Sequence, residues 1–297
     1  MRVAVVDVGS NTARVLVADV SPDGRVTAVE EKRERLGLGS EIARTGTLSR
    51  DTVKTVARTC RGYAKLARLL GAERAQTIVT APGRQGRAPG LLVSALAKET
   101  RLPVRVLSAD DEGRFAYDGA VARAGRLASR TVGVVDVGGG STEIVLGSPR
   151  RGADWVRSVD LGSIRLTRQH LHGDPPSAGE IASARGAVRE AMAAISPPQP
   201  EVALATGGSA RAVAKLVGLS FDQDDVEDAI ALLSRRASVK VGRDAGIHPV
   251  RAASVLGGAL LLAEAARLLD RPLVLARGGV REGAALDLAS GSVSAAA

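Results

Sequence analysis

Two stretches of the chain end a run of valines on the same kind of polar turn. VVDVGSNTARVLV (5–17) and VVDVGGGSTEIVLG (134–147) each place an aspartate two positions before a glycine, followed by small hydroxyl or amide side chains. An aspartate at the end of a buried strand is costly unless it meets a cation or hydrogen-bond donors. The glycine permits unusual backbone angles and removes a side chain, so a ligand can approach the main chain. Successive amides around such a turn form a concavity that suits phosphate oxygens. Ser10, Asn11 and Thr12 add donors beside Gly9, and Ser141 and Thr142 add them beside Gly138, Gly139 and Gly140. Asp7 and Asp136 are then the expected Mg²⁺ carboxylates, direct or through water, because Mg²⁺ takes few carboxylates and several waters. A third element, ATGGSARAVAKL (205–216), runs strand, Gly207-Gly208-Ser209, helix, and a helix N-terminus favours an anion. Read alone, it is equally a strand-to-helix turn capped by Ser209, and either hairpin alone could be ordinary. The trio together predicts two turns that clamp one phosphate chain from both sides.

The elements that must hold these turns are legible around them. Asp7 and Asp136 are 129 positions apart, as are Gly9 and Gly138. In that register VAVVDVG and VGVVDVG differ at one position, which points to an internal duplication. The first copy reads as strands over 3–7, 13–20 and 25–36, the last with polar–apolar alternation, joined by short turns as an antiparallel meander. A helix follows with Ser49 as N-cap and apolar residues from Val53 to Leu70 at helical spacing. Then come a strand (76–80), a helix (90–100), a strand (104–107) and a helix (110–123), an order of βββαβαβα. The second copy reads strand, turn, strand from Thr131, a third strand over 155–160, helices over 164–171 and 177–195, and a short strand over 202–205. Helices fill most of 209–269, before a strand at 273–275 and a helix near 280–288.

Composition narrows the class. Apolar residues make up 45% and aromatics 2%, so the core is built from Val, Leu, Ile and Ala, which favours α/β architecture. The net charge of +9 implies polyanionic company, or else a GC-rich genome choosing Arg codons. Cys60 is the single cysteine, expected to be inert core in a reducing, cytoplasmic compartment. No signal peptide and no run of the ~20 apolar residues a membrane span needs are expected. His170, His172 and His248 do not form a metal-ligand cluster.

The motif trio resembles the actin-like ATPase superfamily. Within it the chain is most similar to the exopolyphosphatase and guanosine pentaphosphate phosphohydrolase family, in its short two-domain form. Besides the two Asp-Val-Gly turns and 205–216, the resemblance rests on RLGLGS (35–40), LSADDEGRFAYDGA (107–120), LGSIRLTRQHL (161–171) and GGVREGAAL (278–286). It implies two actin-like (ribonuclease H-like) domains with mixed five-stranded sheets, flanking helices and an active-site cleft between them. The domains would be 1–128, with a C-terminal helix of about 280–297 packing back on it, and 129–280. It also implies Mg²⁺- or Mn²⁺-dependent hydrolysis of terminal phosphate from inorganic polyphosphate. The family's catalytic glutamate falls on Glu112, with Glu143 as the second carboxylate near metal and water. Arg14 and Arg84, the latter in TAPGRQG, become phosphate-binding candidates. On residue type and position alone, Glu112 reads as an exposed acid at a helix start. Two rival readings stay open: hydrolysis of guanosine pentaphosphate (pppGpp), and a non-catalytic sensor of polyphosphate or nucleotide. No nucleic-acid or membrane partner is expected, and a homodimer is left open.

Overall fold

The structure, a computed structural model, describes residues 1–124, 127 and 130–291. The chain divides into two compact units, Met1–Arg123 with the segment from Gly278 onward, and Ala124–Arg277.

The first unit begins with β1 (Arg2–Val8), β2 (Thr12–Val20) and β3 (Val26–Arg35), then α1 (Leu38–Thr45) and α2 (Arg50–Leu69). It continues with β4 (Arg74–Val79), α3 (Ala81–Gln85), α4 (Pro89–Thr100), β5 (Val104–Val106) and α5 (Ala109–Val121). Its sheet has the order β3-β2-β1-β4-β5. β1 is antiparallel to β2 and parallel to β4, so it lies at the centre, which is why its valines form an unbroken buried run. β3 is a mostly exposed edge strand carrying Glu30, Glu31, Lys32, Arg33, Glu34 and Arg35. Its alternation does not mark a core face; its charges guard an edge against pairing with another chain.

The second unit repeats this plan with β6 (Val132–Val137), β7 (Thr142–Ser148), β8 (Gly152–Val159), α6 (Ser163–His170), α7 (Ala178–Met192), β9 (Val202–Thr206) and α8 (Gly207–Val217). β10 (Ser220–Phe221), α9 (Gln223–Arg235), α10 (Ser238–Asp244), α11 (Pro249–Ala252), α12 (Val255–Leu269) and β11 (Leu273–Leu275) complete it. Its sheet order is β10-β11-β9-β6-β7-β8. Five strands are expected from sequence and six are found, because the two-residue β10 pairs antiparallel with β11 at the edge. Two residues carry no period, so no pattern in the sequence could reveal that strand. After the second unit, α13 (Val280–Ser290) returns to the first.

Each face of the first sheet is covered by a different pair of helices. Ala4, Val6 and Val8 pack with Val56, Cys60, Tyr63 and Ala67 of α2 and Leu92 and Leu96 of α4. Val3, Val5, Leu16 and Ile78 pack with Phe115 of α5 and Ala284, Ala285 and Leu288 of α13. Cys60 is buried, and burial pushes its thiol up to about 12, so it stays a neutral apolar side chain at physiological pH. Helices α5 and α13 meet backbone to backbone. A Cβ on Gly119 would lie 2.0 Å from the Gly279 carbonyl oxygen, and one on Gly283 would lie 2.0 Å from that of Phe115.

One carboxylate on α5 carries a measurable cost. Burial pushes Asp118 up to about 6, with Arg114 opposing the shift and Asp287 adding to it. Between about pH 4 and pH 6 the folded state therefore keeps a proton that the unfolded chain has released, and stability is lost as pH rises through 6. Asp118→Asn is expected to stabilise the protein by roughly 2 kcal/mol at pH 7.5. Near pH 4 the difference should vanish, as thermal melts at the two pH values would show.

Candidate active site

The duplicated turns are built alike. The Gly9 amide donates to the Thr12 carbonyl at 3.0 Å, and the Gly138 amide to the Ser141 carbonyl at 3.0 Å. Both amides are thus spent closing their turns. Neither glycine adopts a positive φ. At Gly138 the absent side chain matters, because a Cβ there would lie 3.1 Å from the Ser141 carbonyl oxygen; at Gly9 a Cβ would make only ordinary contacts, 3.6 Å from Thr12 O and Thr80 Oγ1. A short helix after the third strand then braces each turn. The Gly39 amide donates to Ser10 O at 2.6 Å, and the Ile164 amide to Gly139 O at 3.0 Å. The braces leave no room for side chains: a Cβ on Gly39 would lie 2.7 Å from the Ser10 Cβ, and one on Gly162 2.5 Å from the Gly140 amide. This is the structural reason for RLGLGS and LGSIRL. Sequence periodicity misses α1, because it is eight residues long and starts from Gly37 at φ 63° with no capping side chain.

In the first unit, Ser10, Asn11 and Thr12 are buried beside the turn. Asp7 opposes Arg14 across the β1–β2 ladder, and Arg14 Nε donates to Thr12 Oγ1 at 3.1 Å. Burial raises the Asp7 pKa, Arg14 and Arg281 counter the shift, and Glu282 adds to it. Arg281 and Glu282 open α13. Arg281 pairs with Glu31 at 3.1 Å, and Glu282 accepts from the Gly279 amide at 2.9 Å. The closing motif is visible in sequence, but nothing in it indicates that these two side chains reach Asp7.

Glu112 is not an exposed acid at a helix start. Ser108 caps α5 through the Asp111 amide, and Glu112, one residue further in, is only 7% exposed. Its Oε2 lies 2.7 Å from Arg84 Nη2, while Arg84 Nη1 donates to Leu107 O at 2.7 Å. Arg84 sits on the short helix α3, for which the sequence reading gives no element. The structure engages Arg84 with Glu112, where the sequence suggests a phosphate ligand. Its guanidinium fixes the orientation of a buried carboxylate.

In the second unit, Asp136 and Glu143 oppose each other across β6–β7, both buried. Ser158 Oγ donates to Glu143 Oε1 at 2.9 Å. The Thr142 hydroxyl donates to Leu161 O at 2.7 Å, so it braces the turn from within. Gly207 has φ +85°, and a Cβ there would lie 2.3 Å from Asp136 Oδ1. Glycine at 207 is what lets the Asp136 carboxylate rest against the start of α8. Ser209 does not cap that helix: Thr206 holds the cap position, and Ser209 is buried inside the first turn. A Cβ on Gly208 would lie 2.5 Å from Arg251 Nη2, so a guanidinium from α11 rests on the third turn. No motif around Arg251 gives that away in sequence. Gly207→Ala is expected to displace Asp136 and lower the melting temperature by several degrees. An unchanged melting temperature would show that Asp136 does not depend on that close approach.

The carboxylates fit a divalent cation. Asp7 Oδ1 is buried and accepts no hydrogen bond among the described residues, a state that a bound cation relieves. Like charges placed directly opposite on a sheet repel, and the Asp136–Glu143 pair has that placement. No group of three or more His, Cys, Asp or Glu residues that could hold a metal occurs among the described residues. An ion held by Asp7, or by Asp136 and Glu143, would therefore keep water ligands, as Mg²⁺ does.

Two mixed sheets of order 3-2-1-4-5 type, each with an acidic glycine turn after its first strand, define an actin-like α/β fold. A structure of an Aquifex aeolicus Ppx/GppA family member matches with a TM-score of 0.84 at 23% identity, covering 99% of each chain. An exopolyphosphatase structure from Cytophaga hutchinsonii matches with a TM-score of 0.87 at 18% identity, covering 98% of each. Both likenesses are of fold. Residues 16–291 match the Ppx/GppA phosphatase family. Exopolyphosphatase 2 of Mycobacterium tuberculosis is 31% identical over 317 residues, covering 97% of this chain and 98% of that protein. The chain belongs to the Ppx/GppA phosphatase family. No helix among the described residues is long and apolar enough to cross a membrane.

Proposed function

We propose that the protein is an exopolyphosphatase, releasing terminal orthophosphate from inorganic polyphosphate. The observation that carries this reading is Glu112: a buried carboxylate held by Arg84, at the position that the family resemblance makes catalytic. The name of the mycobacterial relative supports the choice of polymer. Glu112 positions a water and takes its proton as the water oxygen bonds to the terminal phosphorus. The bridging P–O bond breaks, and its electrons leave on the shortened chain. Ser10, Asn11 and Thr12 in one unit, and Gly139, Gly140 and Ser141 with Gly207 and Gly208 in the other, contact phosphoryl oxygens. Asp7 in one unit, and Asp136 with Glu143 in the other, are the carboxylates available to Mg²⁺, which would neutralise charge on the phosphates when bound.

Phosphate release measured separately from long polyphosphate, pppGpp and ATP with Mg²⁺ tests the reading. Release from polyphosphate in clear preference is expected. Release from pppGpp alone would replace it with the nucleotide reading. Arg84 enters as a positioning residue. Arg84→Ala is expected to lower kcat roughly 10- to 100-fold with KM little changed, and Arg84→Lys to recover part of the loss.

A further inference from the structure

A groove of about 1010 Å³ lies on the outer surface of α2 and the C-terminal end of α4 in the first unit. Arg58, Arg61, Lys65 and Arg68 line it from α2 at spacings of three and four, one face of a helix. Lys98 and Arg101 close it from the other side, and Glu99 is its one acid. Six cations against one acid is a large share of the chain's net +9, gathered on one face. Structural pairing explains little of it. Arg61 pairs with Glu99 at 3.1 Å, and Arg68 donates to Thr100 O at 3.3 Å. The exposed side chains of Arg58, Lys65, Lys98 and Arg101 form no hydrogen bond or ion pair among the described residues. Like charges at helical spacing repel, and nothing in the packing of the unit requires them.

The geometry points to an anchoring site for a linear polyanion, separate from the catalytic residues of the unit. The inner faces of α2 and α4 pack on the sheet face formed by Ala4, Val6 and Val8, whereas α5 and α13 cover the other face. From Arg58 to Arg68 the row extends about 15 Å along the helix axis, suited to a chain of phosphates and too long for one phosphate group. No aromatic side chain lines the groove, so it offers no platform for stacking bases. A chain of phosphoryl groups without bases fits it better than a nucleic acid does. The inference deepens the exopolyphosphatase reading, and rests on it for the identity of the polymer. Held there, a long chain stays at high effective concentration while its terminus is processed, an advantage that short chains cannot share.

The triple variant Arg58→Ala, Lys65→Ala, Lys98→Ala removes three exposed side chains, with a thermal melt as the check on folding. In the Glu112→Gln background, binding of fluorescently labelled long polyphosphate is measured across a salt series. The triple variant is expected to bind at least ten-fold more weakly at low salt, with the slope of log K against log salt reduced by about 2. In the active protein its KM for long chains should rise while its kcat/KM for tripolyphosphate stays unchanged. Equal affinity and equal slope in the two proteins would overturn the anchor. So would a loss confined to duplex DNA or to phosphatidylserine vesicles, which would assign the groove to those partners. If the wild-type protein hydrolysed neither polyphosphate nor tripolyphosphate, the exopolyphosphatase reading would fail, and the binding comparison would still decide the groove.

Discussion

Glu112→Gln is expected to lower phosphate release from polyphosphate by about 10³-fold, within the range for removal of a positioned general base. Glutamine keeps the size and polarity of the side chain and can still accept a hydrogen bond from Arg84, so the local fold should persist. The melting temperature should fall by no more than a few degrees, the cost of losing one buried charge-assisted pair. Affinity for polyphosphate should be retained, because the residues proposed to contact phosphate are untouched. Loss of rate with retained binding separates a catalytic role from a structural one. A Glu112→Gln protein that turned over at the wild-type rate would eliminate Glu112 as the base, and with it the main support for the proposed mechanism.

The second large effect concerns the crossing of α5 and α13. Gly283→Ala is expected to destabilise the first unit by at least about 3 kcal/mol, since a methyl group 2.0 Å from a backbone oxygen cannot be accommodated by a side-chain rotation. The helices would have to separate, uncovering Phe115, Ala284 and Leu288. The melting temperature should drop on the order of 10 °C. Gly62→Ala is the matched control. It lies in the exposed middle of α2 with nothing within 4 Å of its would-be Cβ, and should stabilise by about 0.5–1 kcal/mol. Equal melting temperatures for the two variants would show that α5 and α13 do not meet so closely.

Local patterns make much of this legible in sequence. The valine runs, the Asp-Val-Gly turns and the long apolar stripe of α2 declare themselves through neighbours a few residues away, and the duplication shows through the shared 129-residue offset. What stays hidden depends on distant partners. Glu112 looks like a solvated helix-start acid until Arg84 and the packing of α5 bury it. Arg281 and Glu282 act at Asp7 only because α13 docks on the sheet face that carries Val3 and Val5. Arg251 reaches Gly208 from a four-residue helix with no pattern of its own. Glycine in a polar turn suggests unusual backbone angles. Gly207 has them, but Gly9 and Gly138 do not.

The first unit takes its last helix from beyond the whole of Ala124–Arg277. On a ribosome, α5 and the valines beneath it emerge long before the segment that covers them. At ordinary rates of synthesis that interval is roughly 10–30 s. During it the apolar strip of Phe115 and Leu107 has no native cover, while the second unit, continuous in sequence, can already be complete. The nascent protein thus finishes its inserted half first and closes the surrounding half last, a schedule that exposes it to chaperones and proteases.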